Sequence, residues 1–326
     1  MRILLTGATG LLGNNVLEQL LLDGYEVTAL VRDPSRVVAD VGRFAGRYGL
    51  VTGDLTNLDD LRTAAKGCEG MINCAGVTDM TLRRLEDYYP INRDLCGLLL
   101  QVAQEENMGT IVHVSTADTI GYGSEDHDGG EEMEMCAPFT QSYYALSKRE
   151  GEDILLHAAK EYPQKVVIIN PGYIIGRYDV RPSSGRLLLT GWRRRLMAAP
   201  PGGKSFVGAR TVAQAAAAAL SRGRSGERYL VTAENLTFKQ LYELQAHIGG
   251  YRQRVLTLPR WLCKVVGAIG DALATLGMRV EFTSRNVNQL LIKEYYSSQK
   301  AVVELGIKPQ PIEEAVREFL HDRGIS

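Results

Sequence analysis

Short apolar runs alternate with helix-period stretches through the first half of the chain. The runs at Arg2–Thr6, Glu26–Arg32, Leu50–Thr52, Gly70–Cys74, Thr110–Ser115 and Lys165–Asn170 predict strands. The stretches Gly10–Asp23, Leu58–Lys66, Ile91–Asn107 and Ser142–Tyr162 predict the helices between them. Strand, helix and strand in repeated succession build a parallel sheet, because each crossover is long enough to hold a helix and returns with one hand. The expectation is an α/β fold with a doubly wound parallel sheet of the Rossmann type.

Past Asn170-Pro171 the pattern changes. Residues 171–204 are rich in Gly, Pro, Arg and Ser and show no clean period. A helix at Ala209–Ser221 and a strand at Glu227–Thr232 follow, then helical patterns at Thr237–Ile248, Pro259–Leu276, Arg285–Ile292 and Ile312–Asp322. These predict a smaller, mostly helical C-terminal lobe for the substrate. Residues 1–170, with a returning segment at about 205–235, make the dinucleotide-binding domain; 171–204 and 236–326 make the substrate lobe. A length of 326 residues, at about 150 per domain, suits that division.

Composition narrows the partners. The formal charge is −1, from 37 Lys plus Arg against 38 Asp plus Glu, which removes any general attraction to nucleic acid. The cysteines Cys68, Cys74, Cys96, Cys136 and Cys263 form no C-x-x-C pair, which argues against a disulfide framework or structural zinc and fits a cytoplasmic location. His113, His127, His157, His247 and His321 show no metal-ligand spacing, so they read as core or surface residues and no metal is expected. The apolar run Ile3–Leu5 breaks at Thr6-Gly7, too early for a signal-peptide core. Trp261–Met278 comes nearest to a membrane span, but Lys264, Asp271 and its glycines interrupt it, so no span is expected and an amphipathic or partly buried helix is the better reading.

The first strand–helix junction reads Gly7-Ala8-Thr9-Gly10-Leu11-Leu12-Gly13, a G-x-x-G-x-x-G spacing. Glycines there let the backbone turn tightly, and the helix start offers N–H groups to an anion. Gly7, Thr9, Gly10, Leu11, Leu12 and Gly13 are therefore candidates to hold a pyrophosphate. At the end of the second strand, the position where an acid binds the ribose of NAD falls on Val31, and Arg32 and Arg36 follow. Two arginines suit a 2′-phosphate, so NADP is expected ahead of NAD, with Asp33 keeping NAD open. Asp54 and Leu55 are placed to hold the adenine, although an N-cap before Leu58 serves Asp54 equally. Cys74, Ala75 and Gly76 end the fourth strand with small residues that allow a cofactor to approach closely.

Tyr144 and Lys148 stand one helical turn apart, and Ser115-Thr116 ends the fifth strand. A phenol titrates near 10, so it needs a neighbouring cation to act as a base at neutral pH. Thr116 can hydrogen-bond a substrate oxygen while Tyr144 exchanges its proton. Tyr143 is a decoy, because its partner one turn on is Ser147. Arg193-Arg194-Arg195 either binds an acidic substrate group or is a solvated charge run.

Longer stretches join these motifs: TGATGLLG at the start, VRDPSR, GDL, STADTIGYG, YALSK, NPGYIIG, GERYLVTAENLTFKQL and YYSSQKAVVELGIKP. With them the chain resembles the extended short-chain dehydrogenases/reductases of the NAD-dependent epimerase/dehydratase group, in the dihydroflavonol-reductase-like branch. The resemblance implies hydride transfer between C4 of a nicotinamide and a carbonyl or alcohol carbon. It implies Tyr144 as general acid/base, and Lys148 lowering the phenol's pKa while holding the nicotinamide ribose. Thr116 would orient the substrate oxygen, with Ser115 as fallback, and the Pro171-Gly172 backbone would meet the nicotinamide amide. Asn92 sits where many members carry an Asn, and homodimers often pair through the helices equivalent to Ile91–Asn107 and Ser142–Tyr162.

Three departures bear on the substrate. Ala117-Asp118 follows Thr116 where dehydratases carry an acidic pair, Arg177 stands in place of a proline, and Thr211 in place of an aspartate. The expected activity is NADP-dependent reduction of a small-molecule aldehyde or ketone. The alternative is an NAD-dependent sugar-nucleotide epimerase. A regulator that had lost catalysis would tend to lose the Tyr144/Lys148 pair, which this chain keeps.

Overall fold

In the computed structural model, which describes residues 1–180 and 183–325, every strand predicted in the first half forms to within two residues. They are β1 (Arg2–Thr6), β2 (Glu26–Val31), β3 (Tyr48–Thr52), β4 (Gly70–Asn73), β5 (Thr110–Val114) and β6 (Lys165–Pro171). Alternate residues on each strand go to opposite layers. Ile3 and Leu5 of β1 join one fully buried cluster while Leu4 joins another, and β6 divides its Val167 and Ile169 from Val166 and Ile168 in the same way.

Helices cover both faces. α1 (Leu11–Leu22) and α6 (Ala209–Arg222) bury Val16, Leu17, Leu20, Val212 and Ala216 on one side. α2 (Leu58–Ala65), α3 (Leu95–Glu105) and α4 (Tyr143–Glu161) bury Leu61, Leu99, Val102 and Leu155 on the other. Each such aliphatic side chain contributes about 1.5–3 kcal/mol by leaving water. The predicted helix Ile91–Asn107 differs in its opening: a π-helical turn over Pro90–Asp94 precedes α3 and turns Asn92 fully inward.

With β10 (Glu227–Val231) the main sheet has seven parallel strands in the order β10-β6-β5-β4-β1-β2-β3. The order reverses between β1 and β4, where a doubly wound sheet opens a crevice at its carboxyl edge.

The second half carries more sheet than its sequence pattern predicts. β7 (Tyr173–Ile175) and β13 (Lys293–Glu294) pair in parallel with β9 (Gly203–Gly208), and β11 (Glu234–Thr237) pairs with it in antiparallel fashion. β8 (Leu196–Ala199) and β12 (Arg254–Thr257) form a separate parallel pair. Thus 171–204 contains short strands and the short helix α5 (Arg186–Gly191), while the lobe as a whole keeps more helix than strand, as its pattern predicts. These strands have two to six residues, and β9 is buried at every position, so no alternation marks it in the sequence. Helices α7 (Phe238–Ile248), α8 (Arg260–Thr275) and α10 (Ile312–Asp322) form close to their predicted spans. The expected helix at Arg285–Ile292 is the shorter α9 (Ser284–Gln289) running into β13. Arg181, Pro182 and Ser326, within the segments assigned to the lobe, lie outside the described residues. Phe206, Leu241, Val316 and Phe319 form the core between the small sheet, α7 and α10.

Candidate active site

The turn from β1 to α1 is shaped by two glycines that admit no side chain. Gly7 has φ +73°, and a Cβ there would lie 2.6 Å from Ala75 N; a Cβ on Gly13 would lie 2.0 Å from Gly7 O. Gly10 is different, with nothing nearer than 3.5 Å, so its bare backbone leaves open space at the helix start. No side chain caps α1, whose first N–H groups and positive dipole end face that space. An uncapped, Cβ-free helix start fits a pyrophosphate, with Thr9, Leu11 and Leu12 half-buried around it.

The remaining cofactor candidates fall at the carboxyl ends of neighbouring strands. Arg32 is exposed just past β2, and neither it nor half-buried Arg36 forms an ion pair among the described residues, while Val31 is buried. Asp54 is not the cap of α2. Asn57 caps it, and the Asp54 carboxylate accepts bonds from Thr56 N at 2.8 Å and Thr56 Oγ1 at 2.6 Å, which hold its pKa down. Half-buried Leu55 packs beside it against the α2–α3 layer. Cys74, Ala75 and exposed Gly76 follow β4, and Pro171 ends β6, so the strand order brings all of these to one edge.

Thr116, Tyr144 and Lys148 meet at the β5 end. Ser142 caps α4 by accepting from Ala145 N at 3.4 Å, which starts the helix one turn ahead of Lys148. The Thr116 hydroxyl accepts from Asp118 N at 3.3 Å and favours ionisation of the Tyr144 phenol beside it. The neighbouring Ser115 Oγ is buried with no hydrogen-bond partner among the described residues. Burial pushes the Tyr144 phenol well above its usual value, Asp118 adds to the rise, and the Thr116 hydroxyl opposes it. Lys148 Nζ is turned to the strand instead, donating to Val114 O at 2.8 Å and lying 3.2 Å from His113 Nε2. Burial lowers the Lys148 pKa as well.

His113 was not separable from an ordinary core histidine in the sequence. The only signal is its polarity within the buried run Thr110–Val114. Asn73 Oδ1 accepts from Thr6 Oγ1 at 2.6 Å and Ala75 N at 3.0 Å, so Asn73 Nδ2 must donate to His113 Nδ1 at 2.9 Å. Lys148 Nζ also offers N–H donors to Nε2, so the ring meets a donor on each side, and a neutral imidazole, with one N–H and one acceptor nitrogen, accepts from only one of them. Asn92 ties the loop after β4 to α4: its side chain accepts from Val77 N at 2.8 Å and donates to Ser147 Oγ at 2.9 Å.

Below the loop after Thr116, α4 supplies a fully buried carboxylate. Glu152 Oε1 accepts from Thr119 Oγ1 at 2.7 Å and Asn170 Nδ2 at 2.8 Å, and Oε2 meets Arg228 Nε at 3.0 Å in an ionic contact. Asn170 Nδ2 also reaches Thr116 O at 3.0 Å, so this network fixes where the Thr116 backbone sits.

A second buried charge cluster lies on the opposite side of that loop, and sequence reasoning missed it. Lys204 of β9 pairs with Glu294 of β13, with Asp118 nearby and Phe139 5.8 Å beneath the ammonium. Burial pulls the Lys204 value down, but the two carboxylates outweigh it and hold the ammonium above its usual range. Glu294 Oε2 and Tyr296 Oη are buried without hydrogen-bond partners among the described residues, and Tyr296 packs on Ala117. Residues two apart on an extended segment share a face, so Glu294 and Tyr296 point the same way. Arg177 and Thr211 lie elsewhere: Arg177 stacks on Tyr178, and Thr211 Oγ1 accepts from Gln310 N.

A family model, the NAD dependent epimerase/dehydratase family, matches residues 3–231. A protein of Synechocystis, provisionally named dihydroflavonol 4-reductase, is 29% identical over 322 residues, covering 97% of this chain and 92% of its own. Sterol demethylase protein B of Methylococcus capsulatus is 31% identical over 276 residues, covering 84% of this chain and 82% of its own. Among solved structures, that of gox2253 superposes with a TM-score of 0.83 at 26% identity, over 99% of this chain and 98% of that one.

Proposed function

This chain belongs to the NAD-dependent epimerase/dehydratase family, and from that premise we propose that it reduces an aldehyde or ketone with NADPH ahead of NADH. The observation that carries the reading is Thr116 beside the buried Tyr144 phenol at the β5 end, together with a β1–α1 turn shaped for a pyrophosphate. The cofactor supplies the hydride, and the protein's own groups do the rest. Gly7, Thr9, Gly10, Leu11, Leu12 and Gly13 hold the pyrophosphate; Arg32 and Arg36 take the 2′-phosphate; Asp54 and Leu55 hold the adenine. Cys74, Ala75, Gly76 and the Pro171 backbone line the ribose and nicotinamide, and Lys148 reaches the ribose hydroxyls.

Thr116 orients the substrate oxygen and Tyr144 gives it a proton. Reduction needs that proton on the phenol, and burial favours the protonated form. The segments 171–204 and 236–326 form the substrate lobe, from which Glu294 and Tyr296 offer unpaired buried groups to a hydroxyl on the substrate. The reductase-named relative supports this direction of chemistry. Val31 in place of the ribose-binding acid weighs against an NAD-retaining epimerase.

The test is fluorescence titration of cofactor-stripped protein with NADPH and NADH, beside Arg32→Ala. NADPH should bind tighter, and the variant should lose about 10–100-fold of that affinity, as expected when a charged hydrogen bond worth about 1.5–3 kcal/mol is removed. Tightly co-purifying NAD, or affinity for NADH that is indifferent to Arg32, would replace the reductase with the sugar-nucleotide epimerase.

A further inference from the structure

Helix α8 carries its apolar side outward. Trp261, Val265, Ile269, Ala272 and Leu276 follow one another at helical spacing on a single face. That face is in solvent, with Trp261 65%, Ile269 52% and Leu276 78% exposed. The side packed inward is made of Cys263, Gly267 and Gly270, where a Cβ on Gly270 would lie 2.1 Å from Phe282 O. Small residues thus seat the helix while its large apolar ones stay wet, the reverse of a helix built to fill a core.

The patch continues past the helix. In the β8–β12 pair Leu196 faces Arg254 and Ala198 faces Leu256, and all four are exposed, while Ala199 and Val255 point inward. β12 leads directly into α8, with Leu258 N donating to Ala199 O at 2.8 Å. Cations crowd the same surface: Arg193, Arg194 and Arg195 stand just ahead of β8, Arg252 and Arg254 at β12, and Arg260 and Lys264 on the first turns of α8. All are exposed, and none forms an ion pair among the described residues. No Asp or Glu occurs in 186–204 or 252–264, although the whole chain has a net charge of −1. The one carboxylate of α8, Asp271, is turned to Ser284 N at 3.0 Å.

We propose that the outer face of α8, with the exposed side of the β8–β12 pair, is a docking surface for an anionic lipid bilayer. A tryptophan-tipped apolar stripe lies in the headgroup boundary, and the unpaired cations beside it meet anionic headgroups. A second copy of this chain fits less well, because a twofold contact would set this cationic surface against itself. The contact is peripheral, since no helix among the described residues is long and apolar enough to cross a membrane. It also adjoins the candidate site, for Arg285 of α9 stacks 3.5 Å over the ring of Tyr143, next to Tyr144.

The test is co-sedimentation of the full chain with phosphatidylcholine vesicles, with and without phosphatidylglycerol. Binding should require the anionic lipid, weaken with salt, and shift the Trp261 emission to the blue. The double variant Trp261→Ser/Ile269→Ser should bind at least about tenfold more weakly, given the apolar area it removes. Arg260→Gln/Lys264→Gln should bind about 30-fold more weakly, from roughly tenfold or less per cation at such a surface. All four side chains are exposed, so both variants should keep the parent's urea midpoint. The proposal is overturned if anionic vesicles are not bound, or if neutral and anionic vesicles are bound alike. It is also overturned if light scattering shows a dimer that Trp261→Ser/Ile269→Ser dissociates, in which case the patch belongs to a second copy.

Discussion

The environment of His113 makes a quantitative prediction about acid stability. The ring is fully buried, accepts from Asn73 at Nδ1, and points its Nε2 at Lys148 Nζ 3.2 Å away. Burial, reinforced by the lysine charge, holds its pKa well below 6.5. The unfolded chain therefore takes up the proton first, so this contribution to stability is complete above about pH 6.5 and is lost as the pH falls below it. For a folded-state value far below the window, the loss is RT ln(1 + 10^(6.5 − pH)). That amounts to about 0.2 kcal/mol at pH 7 and about 1.4 kcal/mol at pH 5.5, a difference of about 1.2 kcal/mol. His113→Gln keeps a polar side chain and does not titrate. Urea unfolding of both proteins across this range should show the parent losing about 1.2 kcal/mol more than the variant, because the other groups titrate in both and largely cancel. Parallel stability curves would refute the buried neutral imidazole.

Substitutions at three further positions probe the rest of the framework. Tyr144→Phe should lower kcat about 10²–10⁴-fold in stopped assays of carbonyl reduction while leaving NADPH titration close to the parent's, since it removes the proton donor alone. Gly13→Ala should abolish NADPH binding and lower the melting temperature, because its Cβ would lie 2.0 Å from Gly7 O, a backbone atom that cannot step aside. Glu152→Ala removes the nearer of the two carboxylates on Arg228, leaving Asp153 at 3.9 Å, and strips the buried partner of Thr119 and Asn170, so it should cost about 1–3 kcal/mol in urea unfolding, whereas Glu152→Gln should retain the Thr119 bond and cost less.

What could be read in the sequence followed from how strongly each segment states its own period. The strands β1, β5 and β6 are buried at nearly every position and built round apolar residues because helices cover both faces, and α10 was placed to the residue by its amphipathic pattern. The small sheet left no such trace. β13 has two residues and β7 three, and β9 owes its strand form to partners drawn from residues 173–175, 234–237 and 293–294. Pairing across such separations is decided by tertiary packing, to which a local period is blind.

The same distinction runs through the candidate site. The glycine turn and the Tyr144/Lys148 spacing are local, one turn or one loop long, and their chemistry is written in adjacent residues. Lys204, Glu294 and Asp118 are charged residues that in isolation read as surface positions, and only the β9–β13 pairing and the loop after β5 bring them together. Burying Lys204 and Glu294 costs several kcal/mol per ion unless charges answer one another, and here the ammonium lies between Glu294 and half-buried Asp118. The excess acceptor capacity, with Glu294 Oε2 and Tyr296 Oη unpaired, is what a polar substrate would relieve. Motifs that bind the cofactor are therefore legible because one loop builds them. The groups that would choose the substrate are assembled from distant segments, and the fold has to be known before their charges can be seen to meet.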